Sequence, residues 1–230
     1  MKKPVIDYGK VRFSNICSPQ FRHLFLILGW PAYLTAYILT EKYITAENCY
    51  LVHSALDDII PFCEIFVIPY VLWYGLIAAS LLYFLFYSVE SFKKLQSYII
   101  IVQAIATVIF ILFPTMQDLR PEVLPRDNFL CDVVLWLYNT DNNMGVCPSL
   151  HVAVSIAIAS CWVKDKTANK AVKTFIVAFC VAVCLATVFI KQHSIVDSYV
   201  ALPVCLVAEV LLFGKSYWLP KFKRSVKNKL

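Results

Sequence analysis

The chain alternates long apolar stretches with short polar segments that carry most of its charge. The apolar stretches lie at residues 21–40, 66–87, 97–113, 149–163, 172–190 and 195–213. About 20 helical residues cross a hydrocarbon core about 30 Å thick, so these stretches have the length of membrane spans, and the fourth is the shortest. No Gly/Ser-rich linker or internal repeat divides the chain. The pattern therefore predicts an all-α, polytopic membrane protein, a six-transmembrane-helix bundle formed by a single membrane domain of residues 1–230.

Composition supports this prediction. Hydrophobic residues make up 60% of the chain and charged residues 16%, whereas soluble domains are about 45–50% apolar. The first apolar stretch follows a basic N-terminus but lacks a small-residue cleavage site, so we interpret it as a retained membrane anchor.

The basic residues fall mainly on one side of the predicted membrane. The N-terminal arm carries five, the second-to-third connection two, the fourth-to-fifth connection four and the C-terminal tail six, which makes 17 of the 21. The opposite side has only Lys42, Arg120, Arg126 and Lys191. Cytoplasmic flanks retain Lys and Arg, so both termini are expected in the cytoplasm of a multi-pass protein of the cell membrane. This asymmetry, with attraction to anionic inner-leaflet lipid, explains the net charge of +6 without a nucleic-acid partner.

Four of the nine cysteines are expected on the extracytoplasmic side: Cys49, Cys63, Cys131 and Cys147. They could form disulfides in an oxidising compartment, or remain free thiols that pack among apolar side chains. Spacing alone does not choose between these alternatives.

Two histidines begin apolar spans on the extracytoplasmic side. His193 and Asp197 are four residues apart, and on a helix opening the sixth span they would share a face. A carboxylate bonded to one imidazole nitrogen leaves the other available as a nucleophile or base. The alternative is an interfacial histidine beside an acid that favours the helix N-terminus.

The sequence Pro148-Ser149-Leu150-His151 has the form of a helix start, with Ser149 as the cap. Unpaired N–H groups at such an end attract anions, so a phosphate would fit beside Ser149 and His151. His151 is then placed to protonate a leaving oxygen. A capping serine and an interfacial histidine would also account for the two residues separately.

The long outer connection, residues 114–148, adds a further candidate. Arg120, at the expected end of the third span, offers a guanidinium that matches phosphate oxygens, and Lys191 lies two residues before His193. Residues 129–138 are expected to form a short surface helix, either a lid or merely a cover over the bundle. No metal-ligand spacing occurs, so no metal or other cofactor is expected.

Three segments in this order, Arg120-Pro121, Pro148-Ser149-Leu150-His151 and His193-Ser194-Ile195-Val196-Asp197, resemble the signatures of the type 2 phosphatidic acid phosphatase superfamily. That superfamily includes lipid phosphate phosphatases and lipid phosphotransferases. The resemblance covers about residues 97–213, the expected catalytic core.

The resemblance implies an integral-membrane lipid phosphatase that hydrolyses a phosphate ester or diphosphate of a lipid at the extracytoplasmic face. His193 would attack phosphorus to form a phosphohistidine, and Asp197 would orient it. His151 would protonate the leaving group, and Arg120 and Ser149 would hold the phosphate. The partners would be the membrane and a lipid phosphate or phospholipid substrate, with no metal.

Two positions depart from the signatures. Phe113 stands where a lysine is usual and Thr187 where an arginine is usual, so Lys191 would replace only part of the lost charge. These departures, and Leu150 in place of glycine, look more like the inositol-phosphorylceramide and sphingomyelin synthase branch. A lipid alcohol takes the phospho-headgroup in that branch. The alternatives outside lipid enzymes are a transporter that uses His and Asp as an ion relay, and an inactive remnant of the superfamily.

Overall fold

The computed structural model describes residues 3–227, and these residues fold almost entirely as helices. The α-helices are α1 (Gly29–Tyr43), α2 (Ala55–Ile59), α3 (Val67–Tyr87), α4 (Val89–Leu112), α5 (Phe129–Thr140), α6 (Leu150–Lys164), α7 (Lys170–Phe189), α8 (Ile195–Phe213) and α9 (Leu219–Lys227). Two short strands, β1 (Tyr50–Leu51) and β2 (Thr115–Met116), pair in parallel and join the loop after α1 to the one after α4.

Five helical segments are long and apolar enough to cross a membrane. Short 3₁₀ turns extend α1 and α3 at their starts, and α8 continues through a π-helical turn into α9. The five segments are Arg22–Tyr43, Glu64–Tyr87, Val89–Leu112, Lys170–Phe189 and Ile195–Ser225. The third begins eight residues before the predicted stretch, because the polar turn from Val89 to Gln96 continues the same helix.

The fourth predicted stretch forms α6, which is shorter than the other five. Its 15 residues extend roughly 22 Å at 1.5 Å per residue. Nevertheless α6 lies inside the bundle and packs against α4, α7 and α8. Ala153 and Ala157 on α6 are fully buried, and such small residues let neighbouring helix backbones approach closely.

The core of the bundle is mainly apolar. It is built mainly from α3, α4, α6, α7 and α8. Small buried residues also line the other helices, including Ala106 on α4 and Ala208 on α8. The Tyr98 hydroxyl donates to the Cys205 carbonyl at 2.7 Å, which ties α4 to α8. All nine cysteines are free thiols.

An ion pair is buried at the end of the bundle where α6 ends. Lys164 Nζ lies 2.7 Å from Glu209 Oε1, and the two side chains are only 9% and 15% exposed. Glu209 also accepts from Ser160 Oγ at 2.6 Å. The Lys164 ammonium lies 4.3 Å from the centre of the Phe213 ring, so a cation–π contact also stabilises its charge.

At the opposite end, the loops form a cover over the bundle. Helix α5 is amphipathic: Val134 and Leu137 are buried, while Asp132 and Asn139 are exposed. The Asn128 side chain accepts from the N–H of Cys131 and begins α5. The segment therefore forms the short helix that its sequence predicts, and it packs against the start of the α3 span.

Candidate functional site

Three helices begin at one end of the bundle and bring the two predicted histidine segments together. Ser149 starts α6 and Ser194 starts α8, and the N–H of Ser149 donates to the carbonyl of Asp197 at 3.1 Å. The first turns of α3 face the same place, because Tyr70 stacks on His151. The two histidine segments, which are remote in sequence, thus form one site.

A hydrogen bond joins the side chains of His193 and Asp197. His193 Nδ1 lies 3.1 Å from Asp197 Oδ2. The sequence prediction placed both residues on the helix, but α8 begins only at Ile195, so His193 lies before it. The cause is Ser194, which adopts an extended conformation (ψ 153°) and caps the helix through its side chain.

The Asp197 carboxylate is completely buried. Its Oδ2 accepts the N–H of Ser194 at 3.1 Å as well as the imidazole of His193, which completes a capping box. Burial, with the neighbouring Asp197, raises the pKa of the Cys147 thiol to about 12, so this thiol stays protonated. Two bonds therefore hold Oδ2, while Oδ1 is buried without a hydrogen-bond partner among residues 3–227.

His151 faces His193 across a short gap. The two ring centres are 5.7 Å apart, with the rings tilted by 59°. The imidazole of His151 stacks on Tyr70 and packs against Trp73, each with ring centres 4.2 Å away. Its Nε2 is buried without a hydrogen-bond partner among residues 3–227. The aromatic rings therefore fix the plane of His151 and leave this nitrogen available.

Ser149 contributes mainly through the start of α6. Its hydroxyl accepts from the N–H of Val152 at 3.4 Å, and the residue is fully buried. The serine thus caps the helix, as its sequence predicts.

Arg120 lies further from the spans than expected and its guanidinium is engaged. Helix α4 ends at Leu112, eight residues before it. The two terminal nitrogens of the Arg120 guanidinium donate to the carbonyls of Tyr138 and Asn142 at 2.9 and 3.0 Å, and to the Gln192 side chain at 2.6 Å. Only Nε is buried without a partner within the described part of the chain. Arg120 therefore joins the outer connection to the residue next to His193.

Lys191 points its ammonium group at a different segment. Its Nζ donates to the carbonyls of Asp57 and Ile60, both at 2.6 Å, in the loop around α2. Its backbone is left-handed, with φ of 54°. The structure thus places Lys191 as a link between the α7–α8 turn and the first outer loop.

The two departure positions differ in their surroundings. Phe113 is 61% exposed at the end of α4. Thr187 is fully buried, and its carbonyl accepts the backbone N–H groups of Gln192 and His193, both at 3.0 Å. Position 187 therefore holds the backbone of the histidine even without a basic side chain.

Sequence reasoning missed several residues of this site. Tyr70 and Trp73 lie in an apolar span with no local signal of a role. Asp141 accepts from the Tyr37 hydroxyl at 3.3 Å. Burial raises the pKa of Asp141, while the nearby His193 and Arg120 act in the opposite direction. The site therefore contains an acid near its basic groups that no motif indicates.

No protein-family model, curated protein or solved structure matches this chain. Within residues 3–227, no three His, Cys, Asp or Glu side chains are grouped as metal ligands would be. What the arrangement offers is a carboxylate-bound imidazole, a second imidazole facing it, and a partly engaged guanidinium.

Proposed function

We propose that this protein is an integral-membrane lipid phosphatase of the type 2 phosphatidic acid phosphatase kind, acting through a phosphohistidine. The observation that carries the proposal is the His193–Asp197 pair with His151 facing it at 5.7 Å, at one end of an apolar helical bundle. Catalysis by a nucleophile needs a base or orienting group within hydrogen-bond reach, and Asp197 meets that condition for His193. We place this end of a six-span bundle on the extracytoplasmic face, with both termini cytoplasmic.

The proposed first step forms a nitrogen–phosphorus bond. Because Asp197 accepts from Nδ1 of His193, the lone pair lies on Nε2. Nε2 attacks phosphorus, and the bond from phosphorus to the leaving oxygen breaks. His151, in its protonated form, gives its proton to that oxygen. In the second step water attacks the phosphohistidine, His151 takes a proton from the water, and His193 is restored with free phosphate.

A phosphotransferase is the second candidate. It is favoured because the side chains of Arg120 and Lys191 already bond to oxygens of the protein. Arg120 already donates to three oxygens, and Lys191 to two backbone carbonyls. Little free positive charge therefore remains for a phosphate monoester dianion. A phosphodiester carries one charge fewer, so transfer of a phospho-headgroup to a lipid alcohol demands less of the site.

The decisive experiment is turnover by the purified protein in lipid nanodiscs. Phosphatidate, prenyl diphosphates and phospholipid headgroup donors are offered with and without a lipid alcohol, and products are read by mass spectrometry. We expect phosphate release or headgroup transfer, persistence in excess EDTA, and loss in His193→Ala. His23→Gln is the matched control, because His23 bonds to Tyr8 at the opposite end of the bundle. Equal turnover in His193→Ala and the wild type would overturn the proposal.

A further inference from the structure

A second buried carboxylate lies against the start of α8. Asp57 belongs to the five-residue helix α2 in the first outer loop, and it is only 2% exposed. It completes the capping box of α2, because its Oδ2 accepts the N–H of Ser54 at 2.9 Å. The cap uses only Oδ2, so Oδ1 can accept from another part of the chain.

The remaining bonds of Asp57 reach across to the site. Its Oδ2 accepts from the hydroxyl of Ser194 at 2.6 Å, and its Oδ1 accepts the N–H of Ile195 at 2.8 Å. A buried carboxylate is stable only when such donors satisfy it. Asp57 therefore holds the two residues that follow His193, although it is 137 residues away from Ser194 in the chain.

Ser194 passes this constraint to the histidine pair. Its hydroxyl donates a hydrogen bond to Asp57 and accepts one from the N–H of Val196 at 3.1 Å, so it acts as both donor and acceptor. Its backbone N–H donates to Asp197 Oδ2, the same oxygen that binds His193. A continuous line of hydrogen bonds thus runs from Asp57 through Ser194 to Asp197 and His193.

We infer that Asp57 is a positioning residue for His193. It fixes Ser194, and through Ser194 the angle at which the Asp197–His193 pair presents Nε2. The inference rests on the function proposed above and adds a residue from the first outer loop to its site. Misplacement of a reacting group by about 1 Å can cost about 10²-fold in rate, so loss of this constraint is expected to lower kcat.

The test compares Asp57→Asn with the matched control Asp58→Asn, in the assay that gives turnover for the wild type. Asp58 is the next residue, with a side chain 65% exposed. We expect Asp57→Asn to lower kcat and the rate of phosphohistidine formation about tenfold or more with KM unchanged, and Asp58→Asn to retain both. The double variant of Asp57→Asn with Ser194→Ala should lose no more kcat than the larger single loss, because both break one line of bonds.

Each outcome decides the inference. A wild-type kcat in Asp57→Asn, or losses that multiply in the double variant, overturns it while leaving the proposed function intact. If Asp57→Asn does not fold, Ser194→Ala alone gives the answer, because its kcat must fall at constant KM. A wild type that forms no phosphohistidine with any of the substrates refutes the proposed function itself, and the inference with it.

Discussion

His193 Nδ1 and Asp197 Oδ2 are 3.1 Å apart, although only Asp197 belongs to helix α8. The extended conformation of Ser194 turns the chain so that the preceding residue folds back over the first helical turn. The pair is therefore part of a helix cap, and the same oxygen serves the cap and the imidazole. A helix start is a rigid support for a reacting group.

Asp197→Asn should greatly reduce turnover while leaving the fold intact. The amide keeps the size of the side chain but no longer favours the His193 tautomer with its lone pair on Nε2. A loss of about 10²–10⁴-fold in kcat is expected, as for orienting acids in other catalytic groups. Asp132→Asn, an exposed acid in the first turn of α5, is the control and should retain full activity. Equal rates in both variants would contradict the orienting role.

His151→Ala should slow turnover by about 10²-fold or more, because it removes the proposed general acid. A substrate whose leaving group needs no proton should still phosphorylate His193 in this variant. Quenching in denaturant at alkaline pH, which preserves the acid-labile phosphohistidine, followed by mass spectrometry of the peptides locates the phosphate. Phosphate found on His151 in the wild type would reverse the two assignments.

Orientation can be tested by impermeant thiol labelling in intact cells, in a background with Cys17, Cys49 and Cys63 changed to serine. Val123→Cys in the outer connection and Lys170→Cys at the start of α7 are both exposed. The basic asymmetry predicts labelling at 123 and protection at 170 until the cells are permeabilised. The reverse pattern would place the site on the cytoplasmic face.

The folded state of the outer loops should be more stable at lower pH. His53 bonds Asp118 through Nδ1 and Asp58 through Nε2, both at 2.9 Å, and these bonds raise the pKa of His53. The stability that comes from a raised histidine pKa is fully present below the pKa of the unfolded state, about 6.5. It is lost as the pH rises through the pKa of the folded state. The melting temperature of the wild type should therefore exceed that of His53→Gln at pH 6, with the difference vanishing by pH 9. A difference that grows with pH would contradict this.

Glu209→Ala should destabilise the bundle, because it leaves the Lys164 ammonium buried without its partner. Breaking one side of a buried pair costs about 3–5 kcal/mol, whereas replacing both sides with apolar residues is often neutral. Unfolding in detergent should show this loss, and Lys164→Met combined with Glu209→Leu should recover most of it. Lys170→Ala, an exposed lysine, is the control. A double variant that is no more stable to unfolding than Glu209→Ala would show that Lys164 does not depend on this partner.

The sequence by itself determined the features that depend on neighbouring residues. Apolar length predicted the helical spans, because a helix that crosses lipid must satisfy its own backbone. Ser149 marked the start of α6, and the four-residue spacing of His193 and Asp197 predicted their contact. Capping and short spacing act within a few residues, so the local sequence contains all the information they need.

Only the tertiary structure decided which remote groups surround the histidines. Packing of α3 on α6 places Tyr70 and Trp73 against His151, and the first outer loop brings Asp57 to Ser194. Arg120 and Lys191, both candidates for phosphate from their charge, bond instead to oxygens of loops that the sequence does not show to be near. The partner of a long cationic side chain depends on which unpaired carbonyls packing brings within its reach, and that is a property of the assembled bundle.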